Sequence, residues 1–166
     1  MKSLLIVGAG GYGQIVKEIA EESGYAKVDF LDDANSVSVG KLCDIDKLQK
    51  DYDYCTVAIG DPDIRETIVN KIQKPATVIH PRAVVSKSAS IDDFCVVEAN
   101  AVINANTHIG RSSFICAGSV VNHDAHVGHF CQIDCNATVT SGSVVPDKTK
   151  VPSCSTWVSK SFNWNK

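Results

Sequence analysis

At 166 residues, 44% hydrophobic and 21% charged, the chain has the size and composition of a globular protein with one large domain or two small ones. Its net charge of −3, with no run of Lys or Arg, argues against nucleic acid or an anionic membrane as the main partner. The apolar run Leu4 to Val7 is too short for a signal-peptide core or a membrane span, and the seven cysteines include no CxxC pair, which reads as reduced thiols in a cytoplasmic protein.

The first elements follow in order. Ser3 to Val7 reads as a strand, then comes Gly8-Ala9-Gly10-Gly11-Tyr12-Gly13, and Gln14 to Glu22 carries a helical face of Ile15, Val16, Ile19 and Ala20. Lys27 to Leu31 reads as a second strand, ending in Asp32-Asp33. Tyr54 to Ile59 reads as a third, ending in Gly60-Asp61-Pro62 and followed by a helix through Lys71. This is the order of a small α/β, Rossmann-like domain over residues 1–76. Glycines at a strand-to-helix turn let the backbone approach a phosphate, and an acidic pair about twenty residues on suits a ribose or base donor. The alternative is a tight turn and a solvated acidic pair. The domain is too small for a full dinucleotide fold, so a mononucleotide half fits better.

From Ile79 the texture changes. Every sixth residue is Ile or Val: Ile79, Val85, Ile91, Val97, Ile103, Ile109, Ile115, Val121, Val127, Ile133, Val139, Val145, Val151. Four residues after each stands a small one, from Ala83 and Ala89 through Thr149 and Ser155. Helices repeat at three and four, and plain strands alternate, so neither explains a period of six. Short β-branched strands, each giving one inward aliphatic and followed by a tight corner, do. Three hexapeptides close one coil, equivalent residues stack eighteen apart, and the result is a parallel β-helix over residues 77–156. Residues 157–166 form a tail whose Trp157, Phe162 and Trp164 are expected to cover the open edge of the last coil.

GAGGYG, FLDD, AIGDP, IHPRA and VNHDAHVG occur here in one order. Together they resemble the bacterial sugar acyltransferases of the hexapeptide-repeat superfamily, related to the nucleotide-aminosugar N-acetyltransferases and the sialic acid O-acetyltransferases. The resemblance implies that the coil is left-handed, that the protein is a homotrimer, and that acetyl-CoA, as co-substrate, binds between neighbouring prisms. It implies a nucleotide-linked amino sugar, most simply UDP-linked, held by Gly10, Gly11, Tyr12, Asp32, Asp33 and Gly60. His123 would be the general base and Asp124 its partner. Gln132 stands where many relatives carry a second His, and would donate a hydrogen bond near the acyl-CoA carbonyl.

The chemistry asks for such a pair. An amine attacking a thioester must lose a proton, a neutral imidazole can take it, and a neighbouring carboxylate fixes the tautomer. His123 lies two places after the inward Val121 and is expected near a corner, outside the core. His108 and His126 are expected to stack on an outer face, with His129 three residues on; the spacing of a histidine metal site is missing, so no metal is expected. Two other readings remain: O-acetylation of a sialic-type acid, and a nucleotide-sugar-binding homologue without acyl transfer. Outward Val84, Val102 and Val120 form a column too apolar for a free face, which favours the trimer.

Overall fold

The computed structural model describes residues 2–159, in two compact units that divide between Pro81 and Arg82. Of the aromatic tail, Phe162 and Trp164 lie outside the described residues.

The first unit is built on β1 (Lys2–Val7), with β2 (Tyr25–Leu31) and β3 (Tyr54–Val57) paired in parallel on either side. A central parallel strand has both faces covered and reads as an unbroken apolar run; accordingly Leu4, Leu5, Ile6 and Val7 are all buried. Helix α1 (Gly11–Glu22) packs Val16, Ile19 and Ala20 inward. It starts three residues earlier than the sequence pattern suggests, because glycines at its first turn conceal the start. A four-residue helix, α2 (Ile45–Leu48), sits between two single 3-10 turns, Leu42–Asp44 and Gln49–Asp51, in a stretch without readable periodicity. Helix α3 (Pro62–Val69) has a well-defined start: Asp61 Oδ1 accepts from the amides of Asp63 (2.9 Å) and Ile64 (3.0 Å), and proline occupies the first helical position.

The second unit is a parallel β-helix of two-residue strands. One face stacks Val96–Val97, Phe114–Ile115, Gln132–Ile133 and Lys150–Val151. A second stacks Val84–Val85, Val102–Ile103, Val120–Val121, Thr138–Val139 and Thr156–Trp157. A third stacks Ser90–Ile91, His108–Ile109, His126–Val127 and Val144–Val145. Every pairing joins residues eighteen apart, as the period requires. The inward Val and Ile from Val97 to Val151 are at most 1% exposed, so coil after coil closes on one dry aliphatic column. Trp157 is a member of the second face, in register with Val139, and its indole N–H donates to Val144 O (3.0 Å).

The corners in the middle of the coil solve the same two problems. The small residue is buried because the chain folds back over it: Cys95, Ala101, Thr107, Ser113, Ser119, Ala125, Cys131 and Ala137 are at most 1% exposed. Its predecessor turns the chain in the left-handed region. Every sixth residue from Phe94 to Cys154 has a φ between 57° and 68°. Asn, Asp and Gly tolerate this best, yet Phe94, Phe130, Lys148 and Cys154 adopt it too. Among the described residues no helix is long and apolar enough to cross a membrane.

Candidate functional site

Two constellations stand out, one in each unit. In the first, the turn after β1 and the ends of β2 and β3 form a crevice at the carboxyl edge of a parallel sheet, the usual position for a ligand in such folds. A cleft of about 230 Å³ opens there, with Gly8, Leu31, Asp33, Leu42, Ile59 and Ile64 in its wall.

The glycines of the turn divide by cause. Gly8 has φ +106°, and a Cβ on Gly13 would lie 2.2 Å from Gly8 O, so the chain itself needs both. Gly10, Gly11 and Gly60 have open space where a Cβ would go; nothing in the protein's own packing requires a glycine there. Tyr12 is half-buried in the first turn of α1. Arg65 is wholly buried and donates from Nη1 to Ile59 O (2.9 Å) and Gly60 O (3.0 Å), fixing the opposite lip of the crevice.

The two acidic residues behave differently. Asp32 Oδ2 accepts from the Ala9 amide (2.8 Å), and its Oδ1 accepts from the amides of Ala34 (2.8 Å) and Asn35 (3.1 Å). These backbone donors, Ala9 first, hold its carboxyl below the usual aspartate range. The carboxylate therefore ties the glycine turn to the loop after β2, and Asn35 Nδ2 completes the tie by donating to Ala9 O (2.8 Å). Asp33 is exposed, with Oδ1 accepting from the Leu42 amide (2.8 Å), and so keeps an oxygen available to a ligand.

In the coil, His123 and Asp124 occupy the corner between the second and third faces. His123 Nδ1 and Asp124 Oδ2 are 2.7 Å apart, with both side chains about half exposed at 52% and 55%. The contact with His123, and then the one with Asn106, lowers the Asp124 pKa. An ionised carboxylate only accepts, so in a neutral imidazole at this position the ring proton sits on Nδ1 and Nε2 carries the lone pair of a base. The coil below supports this corner: Asn106 Nδ2 donates to Asp124 Oδ1 (3.0 Å), and Asn122 Oδ1 accepts from the His123 amide (2.9 Å) and from Asn104 Nδ2 (3.2 Å). The sequence reading missed Asn104, Asn106 and Asn122; extending the eighteen-residue stacking to polar residues finds them.

Gln132 lies on the first face, the one opposite the His123 corner, and donates from Nε2 to Asp134 Oδ1 (2.6 Å). Within one chain the structure does not bring it to His123. On the third face His108 and His126 stack with ring centroids 4.6 Å apart. Burial, then the neighbouring His108 and His129, lowers the His126 pKa. His129 Nδ1 accepts from the Arg111 amide (3.0 Å). No group of three or more His, Cys, Asp or Glu among the described residues is arranged to hold a metal ion. Val84 is 60% exposed and Val102 and Val120 partly so, giving an apolar column beside the His123 corner.

Residues 3–72 match the PglD N-terminal domain family. The chain superposes on the acetyltransferase domain of PglB from Neisseria gonorrhoeae with a TM-score of 0.80 and 28% identity, over 94% of this chain and 88% of that one. A second structure of that domain is a complex with acetyl coenzyme A, at the same TM-score and identity over 93% and 87%. PerB from Caulobacter crescentus, in complex with CoA and GDP-perosamine, shares the fold with a TM-score of 0.66 and 23% identity over 94% and 91%. The chain is thus an acyltransferase of the hexapeptide-repeat superfamily. Within that superfamily it belongs with the bacterial sugar acetyltransferases, and it carries a PglD-type N-terminal domain.

Proposed function

We propose that the protein transfers the acetyl group of acetyl-CoA to the amine of a UDP-linked amino sugar, as a cytoplasmic step in surface glycan synthesis. The observation that carries this reading is the exposed His123–Asp124 pair at 2.7 Å, on a coil of the acyltransferase fold. His123 Nε2 takes the proton as the amine nitrogen attacks the thioester carbonyl. The C–N bond forms, the C–S bond breaks, and the imidazolium returns the proton to the leaving thiolate, giving an amide and free CoA. Asp124 stabilises the imidazolium as it forms.

The Rossmann-like first unit holds the nucleotide. Open backbone at Gly10 and Gly11 beside the amino end of α1 suits a diphosphate, while Asp33 and the apolar cleft suit a pyrimidine. Asp32 serves by holding the turn, Tyr12 closes the first turn of α1, and Gly60 leaves room at the opposite lip. The coil is left-handed and the enzyme a homotrimer. Gln132, remote from its own His123, serves the acetyl-CoA carbonyl beside a neighbouring subunit's base.

The test is thiol release from acetyl-CoA with a panel of UDP-linked amino sugars, followed by mass analysis of the product. An alkali-stable amide is expected. Thiol release only with sialic-type acids, giving an alkali-labile ester, would replace the acceptor; no release with any sugar would leave a binding protein.

A further inference from the structure

The His123 corner is braced from a coil away. Three residues after each inward aliphatic of the second face, the corner between the second and third faces stacks Ser88, Asn106, Asp124 and Gly142. Asn106 Nδ2 reaches up to Asp124 Oδ1 at 3.0 Å, on the carboxylate oxygen that His123 does not use. The fold does not need this bond: the Asp124 amide is already held by Ala105 O (3.0 Å) and the Asn106 amide by Ser88 Oγ (3.1 Å). Nor is it a habit of the coil, since in the equivalent column of the corner between the first and second faces Gly118 stands between Asn100 and Asn136 and offers no side chain.

We propose that Asn106 is a positioning residue for the acyl transfer, acting through Asp124 on the tautomer and aim of His123; this rests on His123 being the base. An exposed carboxylate with one anchored oxygen still rotates about χ1 and χ2. With Oδ1 held from below, Oδ2 is fixed toward Nδ1, and Nε2 alone faces outward with its lone pair. Asn104 assists from the same coil, through Asn122 to the His123 amide. The base is therefore aimed by a segment eighteen residues upstream.

Two variants test this without disturbing the corner. Asn106 has φ 58°, so Asn106→Gly keeps the backbone relaxed and removes only the donor, while Asn106→Asp keeps the shape and sets a like charge against Asp124. Nitrogen-15 NMR of the imidazoles is expected to find Nδ1–H at His123 in the parent protein and a mixture of tautomers in Asn106→Gly. With acetyl-CoA and a UDP-linked amino sugar, kcat in Asn106→Gly is expected to fall about three- to tenfold, with KM and melting temperature unchanged. In Asn106→Asp the acid limb of the rate profile moves to higher pH.

If His123→Ala abolishes turnover while both Asn106 variants keep the parent tautomer, kcat and pH profile, the positioning role is overturned and the base stands. A kcat loss that only follows a lower melting temperature, with the tautomer unchanged, also overturns it. If His123→Ala retains full turnover, the base reading falls and takes this proposal with it.

Discussion

The two units place function in different kinds of structural feature. In the sheet unit the candidate site is a backbone feature: a turn whose glycines are needed in two places by the chain and left open in two others, Gly10 and Gly11. In the coil the corners from Phe94 to Cys154 share one backbone, with a left-handed residue every six. There the site is a side-chain difference: one corner among equals carries His123-Asp124 over Asn106. The lesson is about substitution. Small changes of backbone freedom should damage the sheet unit at Gly8 and Gly13, whereas the left-handed corner positions of the coil should tolerate them and respond to side-chain chemistry.

The largest expected effect sharpens this contrast. His123→Ala should lower turnover by about a hundred- to ten-thousandfold, the range of a positioned base, with KM values little changed. The coil should stay folded, because no inward residue is touched; steady-state kinetics and a thermal melt check both. His129→Ala, six residues on, should be nearly silent.

Gly11→Val comes next. Nothing in the protein crowds that position, so a folded protein is expected, with UDP binding lost by calorimetry because the side chain fills the path of a phosphate. Unchanged affinity would move the nucleotide elsewhere. By contrast Gly13→Ala, whose Cβ would meet Gly8 O, should cost the first unit about 1–3 kcal/mol in denaturant unfolding.

A pH effect of smaller size follows from Asp32. Three backbone N–H donors hold its folded-state pKa below the unfolded value, so its contribution to stability is complete above that unfolded value and is lost as pH falls through the lowered one. Urea melts between neutral and acid pH should show Asp32→Asn with a flatter acid side than the parent. The smallest effect has the opposite sign. Cys154→Gly relieves a left-handed corner with φ 58° and should gain about 0.5–1 kcal/mol or less.

How much of this was legible in the sequence depended on how narrowly chemistry restricts each position. The inward column is legible because only β-branched aliphatics fill it, and the position four later because only small side chains fit beneath the folded-back chain. The left-handed position just before it is not, since Phe94, Phe130 and Lys148 adopt the same φ as Asn106. The GAGG turn could be read as a turn. Which of its glycines serve the chain and which are free depends on the distance from Gly13 to Gly8 O, a tertiary quantity. The polar supports of His123 were hidden for a related reason: Asn104 and Asn106 become neighbours of residues eighteen on only once the coil closes.

That closure also sets a unit of length. Inserting or deleting eighteen residues anywhere in the coil joins equivalent backbone positions and returns every later side chain to its own face. Six residues would keep the strands and corners intact yet turn everything downstream by a third of a revolution. Gln132, now opposite the histidine corner, would then face a different neighbour while the core column remained unbroken. The scaffold therefore has two kinds of indel, one conserving the arrangement of its faces and one permuting it, and thermal stability alone would not tell them apart.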